Sequence, residues 1–357
     1  MIILISSAMM VGFIGIFFSI IACNFHCSPL CLWSNWLGWG LFITAALTIC
    51  VKTTELMLKE VVSVILERLP LYSTTSRSTT RTIIDSDQKR ILRHFVNTGI
   101  IVLSGYIAFL GLSEGLSPPQ VKEVEIKIIG LNPDLEGLSI AQISDLHIFL
   151  SVRCNWVEQI VDQVNALSPD IIAITGDLSD SDYSQIHNDV APLAKLRARC
   201  GKFFVAGNHD YRASSEIWTR EMQEIDFTVL QNEHRLITQG DGLILLGGVA
   251  DYSDPDSNPA KAMGLNTKAD VKILLAHQPF SIYEAAKAGF DLQLSGHTHG
   301  GVLSPVRWLA SLAQPFQSGL YKYKSTQLYV SNGTGFWGIP FRLGTPLEIS
   351  LLKLTSG

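Results

Sequence analysis

Five times beyond residue 137, a short apolar run stops on a cluster of aspartate, histidine or asparagine. Residues 138–143 lead into Ser144-Asp145-Leu146-His147, and Ile171–Thr175 into Gly176-Asp177. Phe203-Phe204-Val205 leads to Gly207-Asn208-His209-Asp210. Val271–Leu275 leads to Ala276-His277, and residues 292–294 to Gly296-His297-Thr298-His299-Gly300-Gly301. Apolar runs this short read as buried strands, and Trp156, Ile160, Val164 and Leu167 between the first two have helical spacing. Strand and helix in alternation make an α/β fold, and such folds bind ligands outside the carboxyl ends of their strands. Asp145, His147, Asp177, Asn208, His277, His297 and His299 are therefore predicted to meet at one edge. With His209 beside them, five of the nine histidines are spent there.

The donor types narrow the chemistry. Carboxylates and imidazoles with no thiolate among them suit Mn, Fe or Zn. Seven donors are too many for one ion; they fit two divalent metal ions about 3.5–4 Å apart that share a carboxylate. Taken singly, each motif has a plainer reading: Asp-x-His as a surface pair, Gly-Asn-His-Asp as a turn. Their order, each at a strand end, carries the metal reading. His26, His94, His187 and His234 stand in no such setting and read as structural or exposed. Residues 121–129 and 243–249 are further predicted strands, and 327–354 reads as antiparallel strands.

The N-terminal third has a different character. No Asp, Glu, Lys or Arg precedes Lys52, which helps lift the hydrophobic fraction to 47% and the mean hydropathy to +0.26. Residues 1–23 and 30–51 are long enough to cross a hydrocarbon core of about 30 Å, the second with Trp33, Trp36 and Trp39 near one end. Residues 99–116 form a third, shorter candidate. The chain thus divides into a membrane region, 1–120, with about three transmembrane helices and a basic loop at 52–94, and a catalytic domain, 121–357. Within the loop, 54–69 suits an amphipathic surface helix and the Ser/Thr-rich 72–82 a flexible connection. Lys52, Lys59, Arg68, Arg77, Arg81, Lys89, Arg90 and Arg93 mark this loop as cytoplasmic, which with three spans puts the catalytic domain on the extracytoplasmic side of a bacterial-type inner membrane.

The ordered set Asp145-Leu146-His147, Gly176-Asp177, Gly207-Asn208-His209-Asp210, His277 and Gly296-His297-Thr298-His299 resembles the calcineurin-like metallophosphoesterase superfamily. Gly296 to Gly301 and residues 335–354, placed after a membrane segment, resemble its YaeI/YkuE-type membrane-anchored branch, to which LpxG-like lipid A enzymes belong. The resemblance covers residues 138 to the C-terminus. It implies a layered, sandwich-like β-sheet domain flanked by helices and preceded by the transmembrane helices. It also implies that Asp145, His147 and His299 bind the first metal, that Asp177 bridges, and that Asn208, His277 and His297 complete the second. His209 would protonate the leaving alkoxide, with Asp210 orienting it.

The expected function is hydrolysis of a phosphate ester or pyrophosphate, as a phosphodiesterase, phosphomonoesterase or pyrophosphatase, on a lipid-associated substrate. The alternatives are a UDP-2,3-diacylglucosamine pyrophosphatase of lipid A synthesis and, from another class, a catalytically silent membrane sensor of metal or phosphate. A net charge of −5 without a basic stripe argues against nucleic acid. Arg342 is expected in packing or at the surface, with a substrate phosphate as the second option. Residues 251–268 read as a long loop, 305–319 as an apolar helix or lid or as ordinary core packing, and Phe336, Trp337, Ile339 and Phe341 as core or lid residues.

Overall fold

The computed structural model describes residues 40, 43–49, 51–52, 86–149, 155–181, 183–212, 215–264, 268–301, 311 and 314–357. The expected spans at 1–23 and 30–51 (the latter but for residues 40, 43–49 and 51), the amphipathic 54–69, the connection 72–82 and most of the 305–319 lid lie outside them. The chain divides into two compact units, Met1–Leu112 and Ser113–Gly357.

In the first unit, residues 43–49 are helical and a long helix begins at Ser86. That helix, Ser86–Gly115, starts well before the span expected at 99–116, so the end of the supposed basic loop is its first turns. Its stretch His94–Gly115 has a mean hydropathy of 1.8 and is long and apolar enough to cross a membrane. Phe95, Val102, Leu103, Tyr106 and Phe109 are exposed along it, an apolar surface that water would disfavour and lipid would not.

The second unit is built on two six-stranded mixed sheets. The first contains β1 (Gln120–Ile128), β2 (Ser139–Ile143), β3 (Ile171–Thr175), β4 (Lys202–Val205), β5 (Thr228–Val229) and β12 (Glu348–Ser356), in the order β1-β12-β2-β3-β4-β5. The second contains β6 (Glu233–Gln239), β7 (Gly242–Gly248), β8 (Val271–Leu275), β9 (Leu292–Ser295), β10 (Gly319–Tyr323) and β11 (Thr326–Val330), in the order β10-β11-β9-β8-β7-β6. In each sheet the central strands run parallel: β2, β3, β4 and β5 in one, and β7, β8, β9 and β11 in the other.

Alternation explains the layers. On β3, Ile171 and Ala173 point into the core between the sheets, where they join Ile140, Phe203, Ile244, Ile273 and Leu294. Ile172 and Ile174 point the other way, onto Val157, Ile160, Val161 and Val164 of the helix Asn155–Ala166 and Trp218 of the helix Ser215–Glu224. A parallel strand covered on both faces must be apolar throughout, as these runs are. Helices cover the second sheet as well, through Ala262 of Pro259–Met263 and Ala285 of Ile282–Ala288, which join Phe290 against Leu245 and Leu274.

The reading of 327–354 as antiparallel strands is corrected in part. β11 pairs antiparallel with β10 but parallel with β9, and β12 lies between β1, its parallel neighbour, and β2, its antiparallel one. Apolar runs specify buried strands, not partners. β6 was not anticipated because its sequence, EHRLITQ, sits on a sheet edge with little to bury.

Candidate metal centre

The polar clusters leave their strands through backbone that few residues tolerate. Asp145, His147, Asp177, His297 and His299 all have left-handed φ, between 45° and 71°. For residues other than glycine such conformations cost on the order of 1 kcal/mol or more each and gather where function demands them. The turns are clipped together rather than loose. Asp145 N donates to Gly176 O and His147 N to Asp177 O, each at 3.0 Å, and Gly296 N donates to His277 O at 3.0 Å. The Asp177 carboxylate lies so close to Gly207 that a Cβ there would collide with it, which is why glycine precedes Asn208.

Three groups of donors result, and their ligand atoms lie within 4.8 Å of one another in each: Asp145, His147 and His299; Asp177, His277 and His297; and, overlapping both, His147, Asp177 and His209. In the first, Nε2 of His147 and Nε2 of His299 are 3.0 Å apart, with Asp145 Oδ1 at 3.9 and 3.5 Å from them. In the second, Asp177 Oδ2 is 3.1 Å from His277 Nε2, which is 3.2 Å from His297 Nδ1. Asp177 Oδ2 also lies 3.8 Å from His147 Nε2, so one carboxylate stands between the groups.

Three observations fit a metal here. Asn208 Oδ1 is buried and has no hydrogen-bond partner among the described residues, an orphaned acceptor of the kind a cation satisfies. Burial holds His297 and His299 below the ordinary imidazole range, helped by His277 beside the first and by Arg342 and His147 beside the second, so both are neutral, the ligating form. Burial works against charge on His277, yet Asp177, Asp145 and Asp251 push it up to about 10. The same negative field that favours a proton there favours a cation.

The groups behind the donors differ. His277 Nδ1 bonds to Thr175 O at 2.8 Å. His147 Nδ1 lies 2.9 Å from Asp180 Oδ1, and that same oxygen lies 2.6 Å from Nδ1 of His209. Burial opposes its ionisation, but the bonds to His147 and His209 hold the Asp180 carboxyl at about 2, an anion at any ordinary pH. The carboxylate bonded to the His209 ring is thus Asp180, where Asp210 was expected. Asp210 is fully buried and spends its oxygens on backbone N–H groups, Oδ1 on Leu178 and Ser179 and Oδ2 on Gly207, so it braces the turns after β3 and β4. Three residues beyond Asp177, in the polar stretch Ser179-Asp180-Ser181, Asp180 carried no strand-end signal.

Arg342 is neither exposed nor free to meet a phosphate. It is 1% accessible and donates to His299 O, Asn332 O and Gly335 O at 2.6–2.9 Å, with Nη2 2.7 Å from His299 Nδ1. Burial lowers it to about 10, which leaves it a cation. Asp251, at the end of β7, is also buried and accepts from Gln278 Nε2 and Ser253 N.

Fold and donor set together define an α/β domain with a candidate metal centre at its strand ends. The model of the calcineurin-like phosphoesterase family matches residues 138–301. An uncharacterized metallophosphoesterase of Helicobacter pylori is 36% identical over 275 residues, 75% of this chain and 72% of the relative. A transmembrane protein with metallophosphoesterase domain from Danio rerio is 35% identical over 268 residues, 71% of this chain and 61% of the relative. The metallophosphoesterase YkuE of Bacillus subtilis is 30% identical over 258 residues, 69% of this chain and 90% of the relative. The chain belongs to the calcineurin-like metallophosphoesterases. It matches 61% and 64% of the length of two vertebrate relatives, from Danio rerio and Bos taurus.

Proposed function

We propose that this chain is a membrane-anchored phosphoesterase that hydrolyses a phosphate ester or pyrophosphate on a lipid-associated substrate, using two divalent ions of Mn, Fe or Zn. The observation that carries the reading is the pair of donor groups joined by Asp177, with the orphaned Asn208 Oδ1 on the turn whose next residue, His209, bonds to Asp177 through its backbone N–H. Asp145, His147 and His299 would hold one ion, and Asn208, His277 and His297 the other, with Asp177 shared. When bound, the ions supply Lewis acidity toward the phosphoryl oxygens and a water acidic enough to act as nucleophile at neutral pH.

The remaining work belongs to the protein. Asp180 holds the His209 ring by Nδ1 and leaves Nε2 as the nitrogen that can deliver a proton to the leaving oxygen. The backbone N–H of His209 donates to Asp177 Oδ1 at 2.9 Å, tying the general acid to the shared carboxylate. Asp210 keeps that turn closed from beneath. A silent sensor would have no use for an imidazole held in this way.

Membrane attachment is supported by the apolar, exposed helix His94–Gly115 and by relatives named as transmembrane proteins. A tethered site meets bilayer-confined molecules at raised effective concentration. The loop charges favour the extracytoplasmic side. The test is release of nitrophenol from bis-p-nitrophenyl phosphate and p-nitrophenyl phosphate by the full chain with Mn²⁺, Fe²⁺ or Zn²⁺. Metal-dependent release is expected; silence with all three ions on both esters overturns the proposal.

A further inference from the structure

The segment between β11 and β12 touches the general acid, the metal-ligand loop and the end of the apolar helix at once. At one point Phe336 is buried against Phe149 and Trp156, with ring centroids 6.1 and 6.4 Å away. Six residues on, Arg342 is buried under the loop that carries His299. Between these two anchors the backbone folds into tight turns, Ile339 N to Trp337 O at 2.8 Å and Phe341 N to Ile339 O at 2.7 Å, with Gly338 at φ 68°. The turns push two apolar side chains outward: Trp337 is 62% exposed and Ile339 36%. Packing does not account for a large exposed indole held on a braced loop.

Its position does. The Trp337 ring meets the His209 ring edge to face, with centroids 5.8 Å apart. On the reading above, His209 gives its proton to the leaving oxygen. Whatever is attached to that oxygen must therefore pass over the neighbouring indole. Farther along the segment, the backbone of Pro340 lies against Gly115 so closely that a Cβ on Gly115 would collide with it. Gly344 N donates to Glu114 Oε2 at 2.8 Å. The last turn of the helix that contains the apolar stretch His94–Gly115 is thus pinned to the loop that presents Trp337 and Ile339.

We propose that Trp337 and Ile339 form the subsite for the leaving group, and that this group is an alkyl or acyl chain rather than a sugar or a base. An aliphatic neighbour beside the indole, in a protein that also carries an exposed apolar helix suited to lipid, favours a chain. The proposal rests on His209 as general acid and names the substrate class of the same site.

The experiment uses the full chain in detergent, loaded with Mn²⁺, and measures binding rather than turnover. Methylphosphonate, hexylphosphonate and uridine monophosphate are titrated by calorimetry into the wild type, Trp337→Ala and Trp337→Phe. Partition of the hexyl compound into detergent is common to all three proteins and cancels in their ratio. Trp337→Ala is expected to weaken hexylphosphonate roughly tenfold, the effect of uncovering about two buried methylenes. Methylphosphonate should stay unchanged, and Trp337→Phe should recover most of the loss. Equal weakening of methyl and hexyl compounds, no weakening of either, or selective loss of uridine monophosphate would each overturn the subsite. If Trp337-dependent chain-length discrimination persists while no ester is hydrolysed, Trp337 binds a chain but not as a leaving group, and the phosphoesterase reading falls with that role.

Discussion

Strand β3 carries an aspartate at each end, and the two ends teach opposite lessons. Asp170, just before the strand, is satisfied by the protein itself. Ser139 donates to it through N and Oγ, both at 2.9 Å, and Arg199 through Nε at 3.0 Å and Nη2 at 2.7 Å. Asp177, just after the strand, is buried in left-handed backbone among His147, His277 and His297, with Asp145 and Asp210 nearby. Burial opposes the charge of both, and both are nonetheless held below the ordinary carboxylate range: Asp170 by Ser139 and Arg199, Asp177 by His277 and His147. One end closes its electrostatics with a guanidinium. The other gathers carboxylates and imidazoles, with His297 and His299 held neutral and His277 charged through the aspartates around it, a negative field that a cation from outside can take over.

The largest effect expected from this contrast is at Asp177. Asp177→Asn should abolish ester hydrolysis and reduce metal content at both positions, read by elemental analysis of the purified protein. Its metal-free melting temperature should fall as well, because His277 and His147 hold the Asp177 carboxyl below the ordinary range and the amide leaves a charged His277 without its partner. Metal content that survives intact in Asp177→Asn would break the comparison, since Asp177 would then be structural like Asp170.

Next in size is the proton-delivery arm. His209→Ala should slow hydrolysis of an alkyl ester by about 10²–10⁴-fold while metal content is retained. Hydrolysis of a nitrophenyl ester should fall far less, because nitrophenolate leaves without a proton. Asp180→Asn should lower activity or the affinity of the first metal position by roughly 10–100-fold, through the ring orientation of His147 and His209. Metal loss from Asp180→Asn confined to the position of His277 and His297 would contradict the geometry.

Behind His277 stands the Thr175 carbonyl instead of a carboxylate, and the contrast with the His147 side can be sharpened at Arg342. Arg342→Met leaves buried carbonyls of His299, Asn332 and Gly335 without their donor, at about 1–3 kcal/mol for each one stranded. The melting temperature should drop markedly, and the first position should release metal to a chelator before the second. Simultaneous release in the variant, monitored as two titration phases in the wild type, would argue that His299 does not need this support.

Much of this was legible in the sequence, and the reasons are local. A run such as Ile171–Thr175, apolar without interruption, reads as a doubly covered strand, and Gly176-Asp177 after it reads as a functional turn. The resemblance to the metallophosphoesterases turned a set of turns into a predicted ligand set. What stayed hidden depends on contacts between distant segments. Asp180 acquires its role only when the turn after β3 meets those after β2 and β4. Arg342 gave no periodic signal, and its partner His299 is 43 positions away. The insertion of β12 between β1 and β2 is likewise invisible to a reading that sees one strand at a time.

The smallest effect belongs to the quiet end of β3. Asp170→Asn should leave metal content and turnover unchanged, because its partners Ser139 and Arg199 are remote from the donors along the strand. It should cost on the order of 1 kcal/mol, since the pair with Arg199 is partly exposed and screened, a drop of roughly 2–4 °C in melting temperature. The pH dependence has a definite sign. The folded carboxyl titrates below its unfolded value of 3.8, so its stabilisation is fully present above that pH and is lost as pH falls through the folded value. The gap in melting temperature between wild type and variant should therefore be constant from neutral pH down to about 4 and shrink below it. It should do so identically with and without Mn²⁺. A gap that depends on metal would mean that the two ends of the strand are coupled, and the separation of structural from functional aspartate would no longer hold.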